Sequence, residues 1–232
     1  MKTTIPNNSC HAFTVLDAVM IALALVAMVL VVLPRLARAN RRSAHLSCTN
    51  HLKQIGLAYR VWATDNGDKF PAAVSTASGG AREWIEAGAT YTSFLVMSNE
   101  LNTPKILVCP EEKRRTVITA TTFGFPPSPG VSATGIALTN NHSVTYFVGL
   151  DADETLPGTL LSGDDNFTLD GARPASGVLL LWSNRPVAWP QTRHRNQGNI
   201  GFADGSVTCL TVPLWTKTLI ASGIATNRLS LP

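Results

Sequence analysis

The chain has 232 residues, a hydrophobic content of 45% and a formal net charge of +4. This length accommodates one membrane helix and one globular domain of ordinary size. Six Lys and Arg and no Asp or Glu lie between residues 18 and 64, whereas 12 Lys and Arg face 14 Asp and Glu from residue 65 onward. A basic stem with a mildly acidic head argues against a nucleic-acid-binding domain, so no nucleic-acid partner is predicted.

The N-terminal apolar segment is the strongest signal in the sequence. Residues 13–33 carry a single charge, Asp17, close to the start of the run. Such a run is long enough to cross a bilayer as a helix. A carboxylate within it is costly in lipid, which makes Asp17 a candidate functional residue. We therefore predict a single-pass membrane protein.

Three fates of this segment fit the sequence. Cleavage after Ala39, at the pattern Ala37-Arg-Ala39, would release a soluble domain. An uncleaved segment would act as a signal anchor. Cleavage between Ala12 and Phe13 would leave the apolar helix at the N-terminus of the mature chain.

The helix is predicted to continue beyond the apolar run, from residue 35 to residue 64. Five of its residues recur at spacings of 4, 3, 4 and 3, which places them on one helical face: Cys48, Leu52, Ile55, Tyr59 and Trp62. Asp65-Asn-Gly67 then provides a stop signal. We expect this face to pack against the head.

The four cysteines form no CxxC pair, so no zinc or redox motif is predicted. If the head lies outside the cytoplasm, one disulfide is possible. Cys48 faces the head, where Cys109 or Cys209 could reach it, and the sequence does not choose between the two.

The head is predicted to combine short helices with an antiparallel sheet, an α+β fold. A helix is expected around residues 81–87 or 91–98. The strand-like runs are 144–150, 159–161, 178–182, 199–203 and 206–212. The last two read as a hairpin closed by Asp204-Gly205, in a two-residue turn that needs positive φ at both positions.

The segment Phe13-Thr-Val-Leu-Asp17, the apolar run after it and then Pro34 together resemble the N-terminus of type IV pilins and type II secretion pseudopilins. The resemblance implies that a prepilin peptidase cuts between Ala12 and Phe13 and methylates the new amine. It also implies that Asp17, the fifth mature residue, pairs with the N-terminal amine of a neighbouring subunit during assembly. Pro34 stands where that family commonly has a helix-kinking proline.

The C-terminal part resembles a pilin-like subgroup with an H-x9-DG signature, present here as His194, Asp204 and Gly205. The segment 47–58 is similar to the same subgroup. The implied organisation is a leader at 1–12, a transmembrane helix at 13–33, an extended amphipathic helix at 34–66 and an extracytoplasmic α+β head at 67–232. The signature occupies residues 194–205.

The function implied by the resemblance is that of a structural subunit of a type II secretion or type IV pilus-type filament. The implied partners are other pilin-like subunits, the prepilin peptidase, the inner-membrane assembly machinery and membrane lipid. Ala12 stands where the family has Gly, and Asp17 where Glu is usual. Both differences favour the alternative, a non-polymerising membrane-anchored extracytoplasmic binding module.

Metal and enzyme signals are weak in the sequence. Four carboxylates on Gly-containing loops are candidate calcium ligands, by analogy with a loop in major pseudopilins: Asp151, Asp153, Asp164 and Asp165. No EF-hand spacing is present, and the common catalytic motifs are missing. The sequence therefore predicts neither an enzyme nor a resident cofactor.

Overall fold

The computed structural model of the protein describes residues 15–124 and 135–232. The predicted leader and its processing site, Ala12 and Phe13, lie outside the described residues. The chain divides into two compact units, Met1–Ser43 and Ala44–Pro232. The fold of the second unit positions every residue of the candidate site.

The first helix, α1, runs from Val15 to Asp65 and contains Pro34 in its interior. Its segment Val15–Leu36 has 22 residues and a mean hydropathy of 2.9, and none of its residues is buried. This segment is long and apolar enough to cross a membrane, which confirms the predicted apolar helix. Asp17 lies in the first turn, where a carboxylate interacts favourably with the helix dipole.

Within the described residues, the second unit contains four further helices and eight strands. The helices are α2 (Arg82–Glu86), α3 (Tyr91–Val96), α4 (Ser98–Leu101) and α5 (Val212–Ala221). The strands are β1 (Tyr146–Gly149), β2 (Leu160–Asp164), β3 (Thr168–Leu169), β4 (Gly177–Trp182), β5 (Val187–Ala188), β6 (Gln197–Phe202), β7 (Val207–Thr211) and β8 (Thr226–Leu231). Short 3-10 turns occupy Thr76–Ser78, Pro104–Leu107 and Asn141–Ser143.

Six strands form one antiparallel sheet in the order β4-β8-β1-β2-β6-β7, and β3 pairs with β5 separately. The predicted α+β class is therefore confirmed. Each predicted strand run overlaps a strand of this sheet, and both candidate short helices are present, as α2 and α3.

The sheet has a hydrophobic core on each face, because side chains alternate along a strand. Tyr146 and Val148 of β1 belong to the core that contains the α1 face, whereas Phe147 between them belongs to the opposite core. The α1 face predicted from the sequence is buried in the first core, with exposed fractions between 0% and 6%. Trp189 and Trp215 fill the second core.

The turn that joins β6 to β7 differs from the predicted two-residue turn. Gly205 has a φ of 82°, but Asp204 is not in the left-handed region. The Gly205 N–H donates to the Phe202 carbonyl, and the Phe202 N–H donates to the Ser206 carbonyl. This pattern is a three-residue loop with glycine at the left-handed position, a geometry that needs positive φ at one residue only.

Two C-terminal elements, α5 and β8, have no counterpart among the predicted elements. Strand β8 buries Asn227 and Ser230 at exposed fractions of 1% and 0%. The Ser230 hydroxyl hydrogen-bonds the Thr90 hydroxyl at 2.8 Å. Polar residues at buried positions remove the apolar alternation by which a strand is recognised in a sequence.

Candidate functional site

Four side chains of metal-ligating type meet between α1 and the sheet. Cys48 comes from the buried face of α1, and Cys109 follows the 3-10 turn Pro104–Leu107. Asp164 ends β2, and His194 lies in the turn that leads into β6. One atom from each of the four lies within 4.8 Å of the others.

The contacts within this group are close. The sulfurs of Cys48 and Cys109 are 2.7 Å apart. Nε2 of His194 lies 3.3 Å from Cys109 Sγ and 3.2 Å from Asp164 Oδ2, and Asp164 Oδ1 lies 3.6 Å from Cys48 Sγ. All four residues are buried, with exposed fractions of 5% or less.

A second layer of hydrogen bonds orients these side chains. Glu111 Oε2 accepts from the His194 backbone N–H at 3.0 Å and lies 3.1 Å from His194 Nδ1. Asp164 Oδ2 accepts from both the backbone and the side-chain nitrogen of Asn199, at 2.7 and 3.0 Å. The Tyr146 hydroxyl lies 3.1 Å from Cys48 Sγ.

A second histidine borders the group. Nδ1 of His45 lies 3.1 Å from Nδ1 of His194, and the two rings meet edge to face. Burial is the main cause that lowers the pKa of His45, and the nearby His194 lowers it further. Both causes favour the neutral form of His45.

The surroundings shift the pKa values of the two cysteines in opposite directions. Burial raises the pKa of the Cys48 thiol far above its usual range. The hydrogen bond from Cys48 is the main cause that lowers the pKa of Cys109 to about 7. Burial alone would lower the pKa of His194, but hydrogen bonds with Asp164 and Cys109 outweigh it and raise the pKa to about 10. Of the two sulfurs, Cys109 is therefore the more acidic.

The backbone at His194 has an unusual conformation. His194, Arg195 and Asn196 have φ values of 53°, 51° and 63°. Three successive non-glycine residues in the left-handed region are unfavourable by about 1–2 kcal/mol each. Such strain persists only where the surrounding contacts hold it, and it is most often found at functional sites.

A buried ion-pair network adjoins the group. Asp165, whose side chain is fully buried, accepts hydrogen bonds from Arg114 at 2.9 Å and from Arg173 and Arg193. Glu112 pairs with Arg114 at 2.7 Å and with Arg193 at 2.9 Å. Because Arg193 precedes His194 and Glu112 follows Glu111, this network holds both of the segments that bring His194 and Glu111 together.

The four candidate calcium ligands have different partners in the structure. The carboxylate of Asp151 pairs with Arg228 at 2.8 Å, and that of Asp153 accepts from Thr155. Asp165 binds arginines. Among these four, Asp164 alone belongs to the metal-ligating group found in the described parts of the chain.

Some of the remaining predicted residues belong to the metal-ligating group and others do not. Cys48 and Cys109 are brought together, whereas Cys209 donates a hydrogen bond to Gln197 at 3.2 Å instead. Within the H-x9-DG signature, His194 joins the group, while Asp204 and Gly205 form the β6–β7 turn.

The chain has no match among known protein families, curated proteins or solved structures.

Sequence reasoning missed Glu111, Asn199 and His45, and it did not connect Asp164 with the cysteines. Cys48 and Asp164 are 116 positions apart, and Cys109 and His194 are 85 positions apart. No spacing rule links residues at such distances. The one available signal was that the predicted Cys48 face packs on the head that contains Cys109 and the signature histidine.

Proposed function

We propose that the protein is a pilin-like structural subunit, held in the inner membrane by its N-terminal helix with the head on the extracytoplasmic side. The observation that carries the proposal is the continuity of α1. Its segment Val15–Leu36 is apolar and has no buried residue, and one face of the same helix, between Cys48 and Trp62, belongs to the core of the head. A helix with an exposed apolar part and a part buried in the head suits a filament in which the apolar segments of neighbouring subunits pack together.

Asp17 has a specific role in this proposal. A carboxylate in an apolar helix is tolerated where a partner of opposite charge compensates it. The N-terminal amine of an adjacent subunit, exposed by a prepilin peptidase between Ala12 and Phe13, supplies that charge. Pairing at one position per subunit fixes the axial register of the filament, as single buried polar residues do in coiled coils.

The experiment combines the mature N-terminus with the response to mutation. We expect mass spectrometry of the membrane fraction to find a chain that begins at Phe13 and carries a methyl group. Asp17→Ala is expected to remain in the membrane but to disappear from the sheared filament fraction. The matched control is Asp17→Glu, which keeps the charge and is expected to assemble.

Two results would contradict the proposal. One is an intact Met1 together with a filament fraction that never contains the wild-type chain. The other is equal assembly of the wild type and Asp17→Ala. Either result favours the membrane-anchored binding module.

A further inference from the structure

We propose that Cys48, Cys109, Asp164 and His194 form a zinc site that binds one Zn²⁺ per chain. The inference concerns the head alone and does not depend on whether the chain assembles into a filament. Its basis is the convergence of two sulfurs, one imidazole nitrogen and one carboxylate oxygen from four separate segments onto one buried point.

The ligand chemistry selects the class of metal. Calcium and magnesium prefer shells made of oxygen atoms. Two thiolates with an imidazole and a carboxylate are typical ligands of zinc in four-coordinate sites. The four side chains supply all four positions, which is the composition of a closed structural site and not of one with an open position for substrate.

The geometry is close to that of a tetrahedral site. Zinc–ligand bonds of about 2.0–2.3 Å place sulfur, nitrogen and oxygen ligands roughly 3.3–3.6 Å apart. With Oδ1 as the carboxylate ligand, two distances match: His194 Nε2 lies 3.3 Å from Cys109 Sγ, and Asp164 Oδ1 lies 3.6 Å from Cys48 Sγ. The other oxygen of Asp164, Oδ2, lies 3.2 Å from His194 Nε2 and accepts hydrogen bonds from Asn199. The two sulfurs, 2.7 Å apart, must separate to about 3.8 Å when the metal enters.

The surrounding hydrogen bonds match those of a metal-bound histidine and carboxylate. Glu111 faces Nδ1 of His194, so that Nδ1 keeps its proton while Nε2 releases its own and binds the metal through its lone pair. The two hydrogen bonds from Asn199 hold Oδ2 of Asp164 and leave Oδ1 directed at Cys48. Both ligands are therefore oriented before the metal binds.

A disulfide between Cys48 and Cys109 is the competing explanation for the two sulfurs. It uses neither Asp164 nor His194, although both are buried and both are directed at the sulfurs. A buried carboxylate and a buried imidazole in contact with two cysteines are expected where all four bind one ion. The zinc site thus accounts for every member of the group.

The first test measures metal binding by the full-length protein. The chain is purified in detergent under reducing conditions, stripped with a chelator and titrated with Zn²⁺ and then, separately, with Co²⁺. We expect elemental mass spectrometry to find one Zn²⁺ per chain. We expect the Co²⁺ form to show thiolate-to-metal charge-transfer absorption and the strong visible bands of tetrahedral coordination.

Variants assign the site to its residues. Cys48→Ser and Cys109→Ser are expected to lose charge-transfer intensity and stoichiometric binding. Cys209→Ser is the matched control, since Cys209 is a half-buried cysteine outside the group, and it is expected to bind as the wild type does. Glu111→Gln keeps all four ligands, so we expect it to retain the cobalt spectrum while its affinity falls about 10–100-fold.

The Glu111 variant keeps the test decisive if a cysteine variant fails to fold. Two results would overturn the proposal. The first is a Cys48–Cys109 disulfide in the chain isolated without reductant, combined with no Co²⁺ binding after its reduction. The second is Zn²⁺ binding of equal affinity in the wild type, Cys48→Ser and Cys109→Ser, which would mean that the metal binds elsewhere.

Discussion

Arg60 of α1 donates a hydrogen bond from Nη1 to the backbone carbonyl of Asp204, 3.1 Å away, in the turn between β6 and β7. One helical turn earlier, a Cβ on Gly56 would lie 3.5 Å from Gly205 Cα, so the turn packs directly on the helix backbone. At the other end of the signature, His194 contacts His45, close to Cys48. The segment from His194 to Gly205 therefore contacts α1 at two points, roughly three helical turns apart.

The first prediction concerns Gly205→Ala. Gly205 has a φ of 82°, which L side chains rarely adopt. A Cβ there would also meet the Arg60 side chain at 3.5 Å. We expect the free energy of unfolding to fall by about 1–2 kcal/mol, measured by denaturant titration.

The matched control is Gly158→Ala, because no atom lies within 4 Å of a Cβ at that position and its φ is not positive. We expect a change in the free energy of unfolding within about 0.5 kcal/mol. Equal stability of Gly205→Ala and Gly158→Ala would contradict the role assigned to the turn.

Gly198→Ala is expected to be more damaging than Gly205→Ala. A Cβ at Gly198 would lie 2.2 Å from the ring of Trp189, which is buried and packs edge to face on Trp215 at 5.0 Å. Both rings are buried in the second core, so we expect a loss of about 3 kcal/mol. Near-ultraviolet circular dichroism, which reports the tryptophan environment, should change together with the unfolding midpoint; an unchanged spectrum and stability would refute this packing.

The third prediction concerns the buried carboxylate of Asp165. Asp165→Asn removes a charge that three arginines surround, which leaves part of their charge uncompensated. We expect a loss of about 3–5 kcal/mol in the free energy of unfolding. Asp170→Asn is the matched control: Asp170 pairs with Arg185 but its side chain is 66% exposed, so about 1 kcal/mol or less is expected. Similar losses in the free energy of unfolding in both variants would show that burial does not increase the contribution of these ion pairs to stability.

The fourth prediction concerns acid stability. Burial alone would raise the pKa of Glu112, but Arg114 and Arg193 outweigh it and lower the pKa from 4.5 to about 2. A carboxyl whose pKa is lower in the folded chain stabilises that chain above its unfolded pKa, and this contribution is lost as the pH falls through the folded pKa. Stability should therefore decline between about pH 4.5 and pH 2.

Glu112→Gln isolates this contribution from that of other carboxylates. The variant is expected to be less stable than the wild type at neutral pH and to lose less stability over the acid range. Urea titrations of both proteins at several pH values measure the difference between them. If the free energies of unfolding of the two proteins fall in parallel with pH, Glu112 does not contribute to the acid dependence of stability.

Local patterns in the sequence determined much of the fold. The run before Leu36 is apolar enough to specify a membrane-length helix, and the spacing from Cys48 to Trp62 specified which face of α1 is buried. Glycine and aspartate between two strand-like runs specified the β6–β7 hairpin. Each of these signals lies within one element, where a period of 3.6 or 2 residues relates sequence position directly to a face.

Only the tertiary structure decided which side chains meet. Asp164 and Asp165 are neighbours in the sequence, yet the first contacts Cys48 and the second binds arginines, because adjacent side chains on an extended segment point in opposite directions. Cys109 contacts Cys48, whereas Cys209 does not, a choice that the sequence left open. Contacts between distant segments depend on strand register and on how α1 packs against the sheet, and neither is encoded in the spacing of the residues that meet.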